Sequence, residues 1–172
     1  LRRPVLEDVR RNTIVGESLP NVSALMRMQY PVQDVPGTDS YYKTMEVFLT
    51  HTTKHVAAYP SSIENARDWM DVTEVIAQSA EMPVKTTPLL SLAVAVTSPL
   101  QLFPLNMEII RMATERCYPV IPTVCPMAGT TSPYSVSGAT LLANAETLLV
   151  TILTQLYRPG HPVFHAVGPS ST

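Results

Sequence analysis

The stretch CPMAGTTSPYS, Cys125 to Ser135, sets small hydroxyl side chains and one glycine between prolines, directly ahead of a long apolar helix pattern. A strand ending here and a helix beginning after it would leave the helix's first amides and the positive end of its dipole facing the loop. That combination attracts a carboxylate or a phosphate. Gly129, Thr130 and Thr131 are therefore candidate ligand-binding residues. The same residues are also ordinary turn formers, with Ser137 as an N-cap, and the spacing matches neither G-x-G-x-x-G nor the phosphate loop with its lysine. Both readings stand on spacing alone.

Other chemistry-bearing residues are sparse. Asp34 and Ser98 fall just past the ends of two apolar segments, where a parallel sheet gathers ligands. Glu146 lies within the helix pattern but off its polar stripe, where a charge needs a partner. It reads as a structural pair, with a neighbouring helix as the expected partner, because more than two turns of helix carry it away from the loop; a catalytic carboxylate is the other reading. His161 and His165, four apart on a strand, would stand about 13 Å from each other and could not share an ion. His51 and His55 straddle a helix-to-strand join, and Cys117 and Cys125 sit on different elements. No bound metal is expected. Cys125, with no base placed beside it, reads as a small buried hydrophobe. Tyr41, Tyr42, Trp69, Tyr134 and Phe164 could contribute to a cage for a methylated ammonium, and core packing explains most of them as well.

These residues depend on the elements that position them, and proline supplies the punctuation. Of 16 prolines, pairs bracket three apolar segments: Leu89 to Thr97, Val120 to Cys125 and Val163 to Gly168. Leu25 to Tyr30 and Val56 to Tyr59 close on a proline in the same way. Short apolar runs without polar alternation are what strands buried on both faces look like. Pro122 is awkward, since it removes a donor inside the fourth run, which could be as short as Thr123 to Cys125. Between the runs the period becomes 3.6, over Thr38 to Thr52, Ser61 to Ser79, Leu105 to Cys117 and Ser137 to Arg158. In the last of these Thr140, Asn144, Thr147, Thr151, Thr154 and Gln155 form a polar stripe and leucines fill the rest. Glu7 to Val15 reads as an opening helix that Gly16 ends. Alternation of this kind predicts right-handed βαβ units and an α/β fold. About five parallel strands make a partial (β/α)8 TIM-type barrel or an open doubly wound sheet.

Composition limits the setting. Charged residues make up 15% of 172, where about 25% is typical, and the chain opens LRRPV without methionine. A fragment of a larger barrel, or a single domain that associates with itself, is expected. The net charge of −2 gives no footprint for nucleic acid. Asn144, Glu146 and Gln155 make Ser137 to Tyr157 too polar for an unaccompanied membrane span. With two cysteines and no leader pattern, a cytoplasmic protein without a membrane partner is expected.

The run from Pro119 to Gly168 resembles the trimethylamine methyltransferase family in its proline-rich strand, the Gly129 to Pro133 loop, the Asn144 to Glu146 triplet within a helix, and Pro159 to Val163 before the next strand. TTKHVAAY (Thr52 to Tyr59) and TSPLQL (Thr97 to Leu102) resemble the family's upstream segments in the same order. Thr130 stands where alanine is frequent and His55 where proline is frequent. The resemblance implies a (β/α)8 barrel that moves a methyl group from a tertiary or quaternary amine to the cobalt of a separate corrinoid protein, the cobalamin being carried by that partner. Some members read an amber codon as pyrrolysine and use trimethylamine; others use glycine betaine or related betaines. The pyrrolysine position lies downstream of the matching segment. On this reading a betaine carboxylate sits near Thr130 and Thr131, and its cationic end faces Asp34. Two further classes remain: a small-anion binding module, and a catalytically silent fragment that self-associates.

Overall fold

In the computed structural model the described residues are 2–27, 32–83, 88–165 and 170–171. Helix α1 (Leu6–Ser18) precedes strand β1 (Ala24–Arg27); α2 (Asp39–His51), β2 (His55–Ala58), α3 (Ile63–Ser79), β3 (Leu90–Val96), α4 (Pro104–Arg116) and β4 (Val120–Val124) then alternate. After β4 come a two-residue strand β5 (Met127–Ala128), the long helix α5 (Val136–Tyr157) and β6 (Ser170–Ser171). The four main strands pair in chain order, all parallel. The sheet is curled with helices against it, a partial TIM-type barrel. A parallel bridge from Val120 to Val163 marks where a fifth strand joins. The rest of the expected strands at Met28 to Tyr30 and Ala166 to Gly168 falls outside the described residues.

Register shows how the strands divide their two faces. Val56 pairs with Leu90, and Leu92 with both Ala58 and Val120. Leu90, Leu92, Val94, Val96, Val120 and Val124 all join the core built with Trp69, Met70, Ile109, Ile110 and Val150 from the helices. Because side chains alternate, the other face carries His55, Ala57, Ser91, Ala93, Ala95, Ile121 and Thr123. Bulky residues face the helices and mostly small ones face the barrel interior.

Pro122 does not shorten its strand. It stands opposite Val94 within the β3–β4 ladder. In a parallel strand the N–H and C=O of one residue point to the same side, and successive residues alternate. Val120 turns both groups toward the Val163 segment, its N–H to the Pro162 carbonyl and its C=O to the Phe164 N–H. Pro122 points the same way, so its missing donor is lost on that side and the β3 ladder stays whole.

Helix α1 differs from its sequence reading. Gly16 lies inside α1, where its lack of a side chain admits Leu25; a Cβ there would sit 2.5 Å from Leu25 Cδ2. The α1 terminus comes two residues later and is held by Lys54, whose Nζ donates to the Gly16 carbonyl at 2.7 Å and to that of Leu19. In α5 the middle of the polar stripe turns inward: Thr147 and Thr154 are fully buried and Thr140 is exposed, whereas Leu141 is 70% and Leu156 75% exposed. Buried threonine is tolerated because its hydroxyl bonds back within the helix, Thr154 to the Val150 carbonyl at 2.8 Å, leaving a methyl to pack. Among the described residues α5 is the one helix long and apolar enough to cross a membrane.

Candidate functional site

Because the four strands run parallel, the segments that follow them emerge at one end of the sheet. Past β1 lie Gln33 and Asp34; past β2, Ser61 and Ser62; past β3, Ser98 to Gln101; past β4, Met127 to Ser135. The structure thus puts Asp34, Ser98, Gly129, Thr130 and Thr131 on the loops of a common mouth.

Each has local work. Asp34 is exposed, and its Oδ1 accepts the Leu6 N–H at 2.9 Å while the Gln33 N–H donates to the Pro4 carbonyl. The start of α1 is thereby tied across the end of β1. Ser62 caps α3 by accepting the Asn65 N–H, and Ser61 donates to the Asn65 side-chain oxygen.

The β4–α5 loop is a compact turn. The Met127 carbonyl accepts the amides of Thr130, Thr131 and Ser132 at 3.0 to 3.1 Å, and the Met127 N–H donates to the Thr131 hydroxyl oxygen at 2.9 Å. Gly129 takes φ +78°, a left-handed conformation that suits glycine. The amides of Thr130 and Thr131 therefore turn inward. The N-cap of α5 is Ser135, not Ser137: its hydroxyl accepts the Gly138 N–H at 3.1 Å. Gly138 makes this possible, since a Cβ there would lie 2.7 Å from Pro133 Cβ and 2.8 Å from the Ser135 hydroxyl. Parallel pairing of Met127 and Ala128 with Ser170 and Ser171 brings a later segment to the same loop.

The β3–α4 loop is closed by reciprocal backbone bonds between Thr97 and Gln101, both 2.8 Å. It contains a cis Ser98–Pro99 bond and Leu100 at φ +56°. Glu146 is 0% exposed; its Oε2 accepts the Ser98 hydroxyl at 2.8 Å and its Oε1 accepts the Leu100 N–H at 2.9 Å. The expectation that helix depth carries Glu146 away from the mouth, toward a neighbouring helix, is corrected here. Its partners are at the carboxyl end of β3, because the long β4–α5 loop starts α5 further out and a helical side chain leans back toward its own N-terminus. Nothing in local spacing pointed to partners 46 and 48 residues away.

Of the remaining candidates, Cys125 and Tyr134 sit at the mouth end, and Tyr41 and Trp69 are packed in the core. Cys125 is exposed rather than buried, one residue past β4. Tyr41 and Trp69 are buried and meet edge to face with centroids 6.4 Å apart, whereas Tyr134 on the β4–α5 loop is 85% exposed. His161 is buried and donates from Nε2 to the Tyr118 carbonyl at 2.8 Å. His55 bonds the Pro88 carbonyl through Nδ1 and the Ser91 hydroxyl through Nε2. The carbonyl can only accept, so Nδ1 carries the proton and Nε2 accepts from Ser91. Burial pushes both imidazoles below the usual histidine range. Among the described residues no three His, Cys, Asp or Glu side chains could hold a metal ion. A cavity of about 380 Å³ lies between α1, β1 and α2, lined by Pro4, Val9, Leu25, Val32 and Phe48. It is mostly apolar, with Asp8, Asn12, Thr13 and Thr44 also on its wall, and it lies apart from the mouth loops after β2, β3 and β4.

A family model described as trimethylamine methyltransferase (MTTB) matches residues 1–172. The trimethylamine methyltransferase MttB of Desulfitobacterium hafniense is 29% identical over 173 residues, covering 99% of this chain and 34% of that protein. The MttB of Methanosarcina thermophila is 28% identical over 124 residues, 72% of this chain and 25% of that protein, and the MttB of Methanosarcina barkeri 29% over 136 residues, 79% and 27%. The chain spans about a third or less of the length of these relatives.

Proposed function

The chain belongs to the trimethylamine methyltransferase family, and from that premise we propose that it forms part of a cytoplasmic enzyme moving a methyl group from trimethylamine or a betaine to the cobalt of a corrinoid on a separate protein. The observation that carries this reading is the family match across all 172 residues. With the substrate nitrogen cationic, as trimethylammonium or a betaine, one N–CH3 bond would break with its electron pair left on nitrogen to give the neutral dimethylated amine, and the partner's cobalt(I) would supply the pair that takes up the methyl carbon.

The work of this chain is to hold the amine in line with that acceptor and to exclude water. Asp34 supplies negative charge for the cationic end of the substrate. Ser98 stands on the β3–α4 loop at the same mouth, its hydroxyl tied to Glu146, so that this side of the mouth keeps one shape. A betaine carboxylate beside Gly129 would meet the hydroxyls of Thr130 and Thr131 and the amides that open α5, since the Thr130 and Thr131 amides already serve Met127.

The test uses the full polypeptide that carries this segment, mixed with cob(I)alamin and either trimethylamine or glycine betaine. One of the two amines should yield methylcob(III)alamin with an equal amount of dimethylamine or dimethylglycine. Failure to form both products with either amine overturns the reading.

A further inference from the structure

Glu146 is a carboxylate with no exposed surface on an otherwise uncharged helix. Among the described residues no Lys or Arg forms an ion pair with it. An apolar residue of similar volume would generally pack there at least as well, because a buried charge loses its hydration. Its two oxygens are instead divided between two points of one loop, the Ser98 hydroxyl and the Leu100 amide. Leu100 is left-handed at φ +56°, a conformation that a branched, non-glycine residue keeps only where its surroundings enforce it. The bond to its own N–H is such an enforcement. The loop in turn leaves the side chains of Leu100 and Phe103 exposed.

We propose that Glu146 is a positioning residue: it clamps the Ser98 to Leu100 segment in the shape with which the mouth binds its methylated amine. The assignment of that ligand rests on the methyl-transfer reading above. Glu146 acts through the loop and does not itself touch the substrate.

The experiment compares wild type, Glu146→Gln and Glu146→Met in the full polypeptide. Met fills the side-chain volume without accepting either bond, so packing is retained where Ala would leave a hole. Gln keeps both contacts, its oxygen accepting from Leu100 and its amide donating to Ser98, whose hydroxyl turns to suit. Two readouts are taken: hydrogen exchange of the Leu100 amide, and KM and kcat for the amine that is turned over. Glu146→Met should speed Leu100 exchange and raise KM about tenfold with kcat changed no more than about threefold, a loss of ground-state binding. Glu146→Gln should stay close to wild type in both. A freed Leu100 with unchanged KM overturns the proposal, as does a Gln variant that keeps Leu100 protected yet loses activity, which would make the charge itself catalytic. Equal exchange in wild type and the Met variant overturns the clamp. A wild-type protein that transfers no methyl group overturns the reaction reading and the ligand assignment with it, and the exchange data separate that failure from a failure of the clamp.

Discussion

Pro122 stands directly opposite Val94 in the parallel ladder, with its missing donor turned away from β3. The neighbouring residue has the reverse orientation. The register that sends the Leu92 N–H to the Pro119 carbonyl requires the Ile121 N–H to meet the Leu92 carbonyl. Ile121→Pro should therefore orphan a buried acceptor and lower stability by about 1–3 kcal/mol from that loss alone. Pro122→Ala should lose about 1 kcal/mol or less, chiefly through a freer unfolded chain. Urea denaturation of the two variants checks the asymmetry; equal losses would contradict the assigned strand faces.

Gly138 is fixed by what surrounds it. Alanine there gains in helix propensity, but its Cβ would press on Pro133 and on the Ser135 cap. Overpacking and cap disturbance should outweigh the gain, for a net loss of about 1–2 kcal/mol. Thermal or urea unfolding of Gly138→Ala measures it, and a stabilised variant would mean that the loop turns differently.

Protonation of the buried His161 and the half-buried His55 sets an acid limit on the fold. Burial is the main cause that lowers His55 and His161; at His161, Arg158 adds to it and the Tyr118 carbonyl opposes it. A histidine with a depressed folded pKa binds its proton more readily when unfolded, so its stabilising contribution is present above the ordinary value of about 6.5 and is lost as pH falls through the lowered value. The urea midpoint should drop as pH falls below about 6.5. His161→Gln should flatten that slope.

Asp34 has a structural bond and a proposed electrostatic role, and one substitution separates them. Asparagine keeps a side-chain oxygen for the Leu6 amide while removing the charge. Asp34→Asn in the full polypeptide should leave the unfolding midpoint nearly unchanged and weaken methyl transfer to cob(I)alamin by about tenfold or more. An unchanged rate removes Asp34 from the substrate site.

What the sequence made legible was periodicity and punctuation. Apolar runs closed by proline placed β2, β3 and β4, and the switch to a 3.6 period placed the four later helices. Direction within an element was harder to read. The α5 pattern separates threonines from leucines on a helical wheel, yet it does not say which side meets the sheet, since a threonine bonded to its own helix can be buried and a leucine can be left outside. Gly16 looked like a terminator because a glycine that admits Leu25 and a glycine that ends a helix are the same letter. Loop amides were least legible: that Met127 takes the Thr130 and Thr131 N–H groups depends on the turn's closure, which residue types alone do not specify. The partners of Glu146 were hidden for a related reason, as they come from the β3–α4 loop, with α4, β4 and β5 in between.

Glu146 is the eleventh of the 22 residues of α5, at the midpoint of a segment whose length and hydropathy resemble a bilayer span. An acidic side chain at that depth in hydrocarbon costs roughly 2.5–3.5 kcal/mol on insertion scales. The carboxylate that fastens the loop thus also discriminates between two solvents, and with glutamate replaced by methionine a nascent α5 would lose its main barrier to partitioning into lipid.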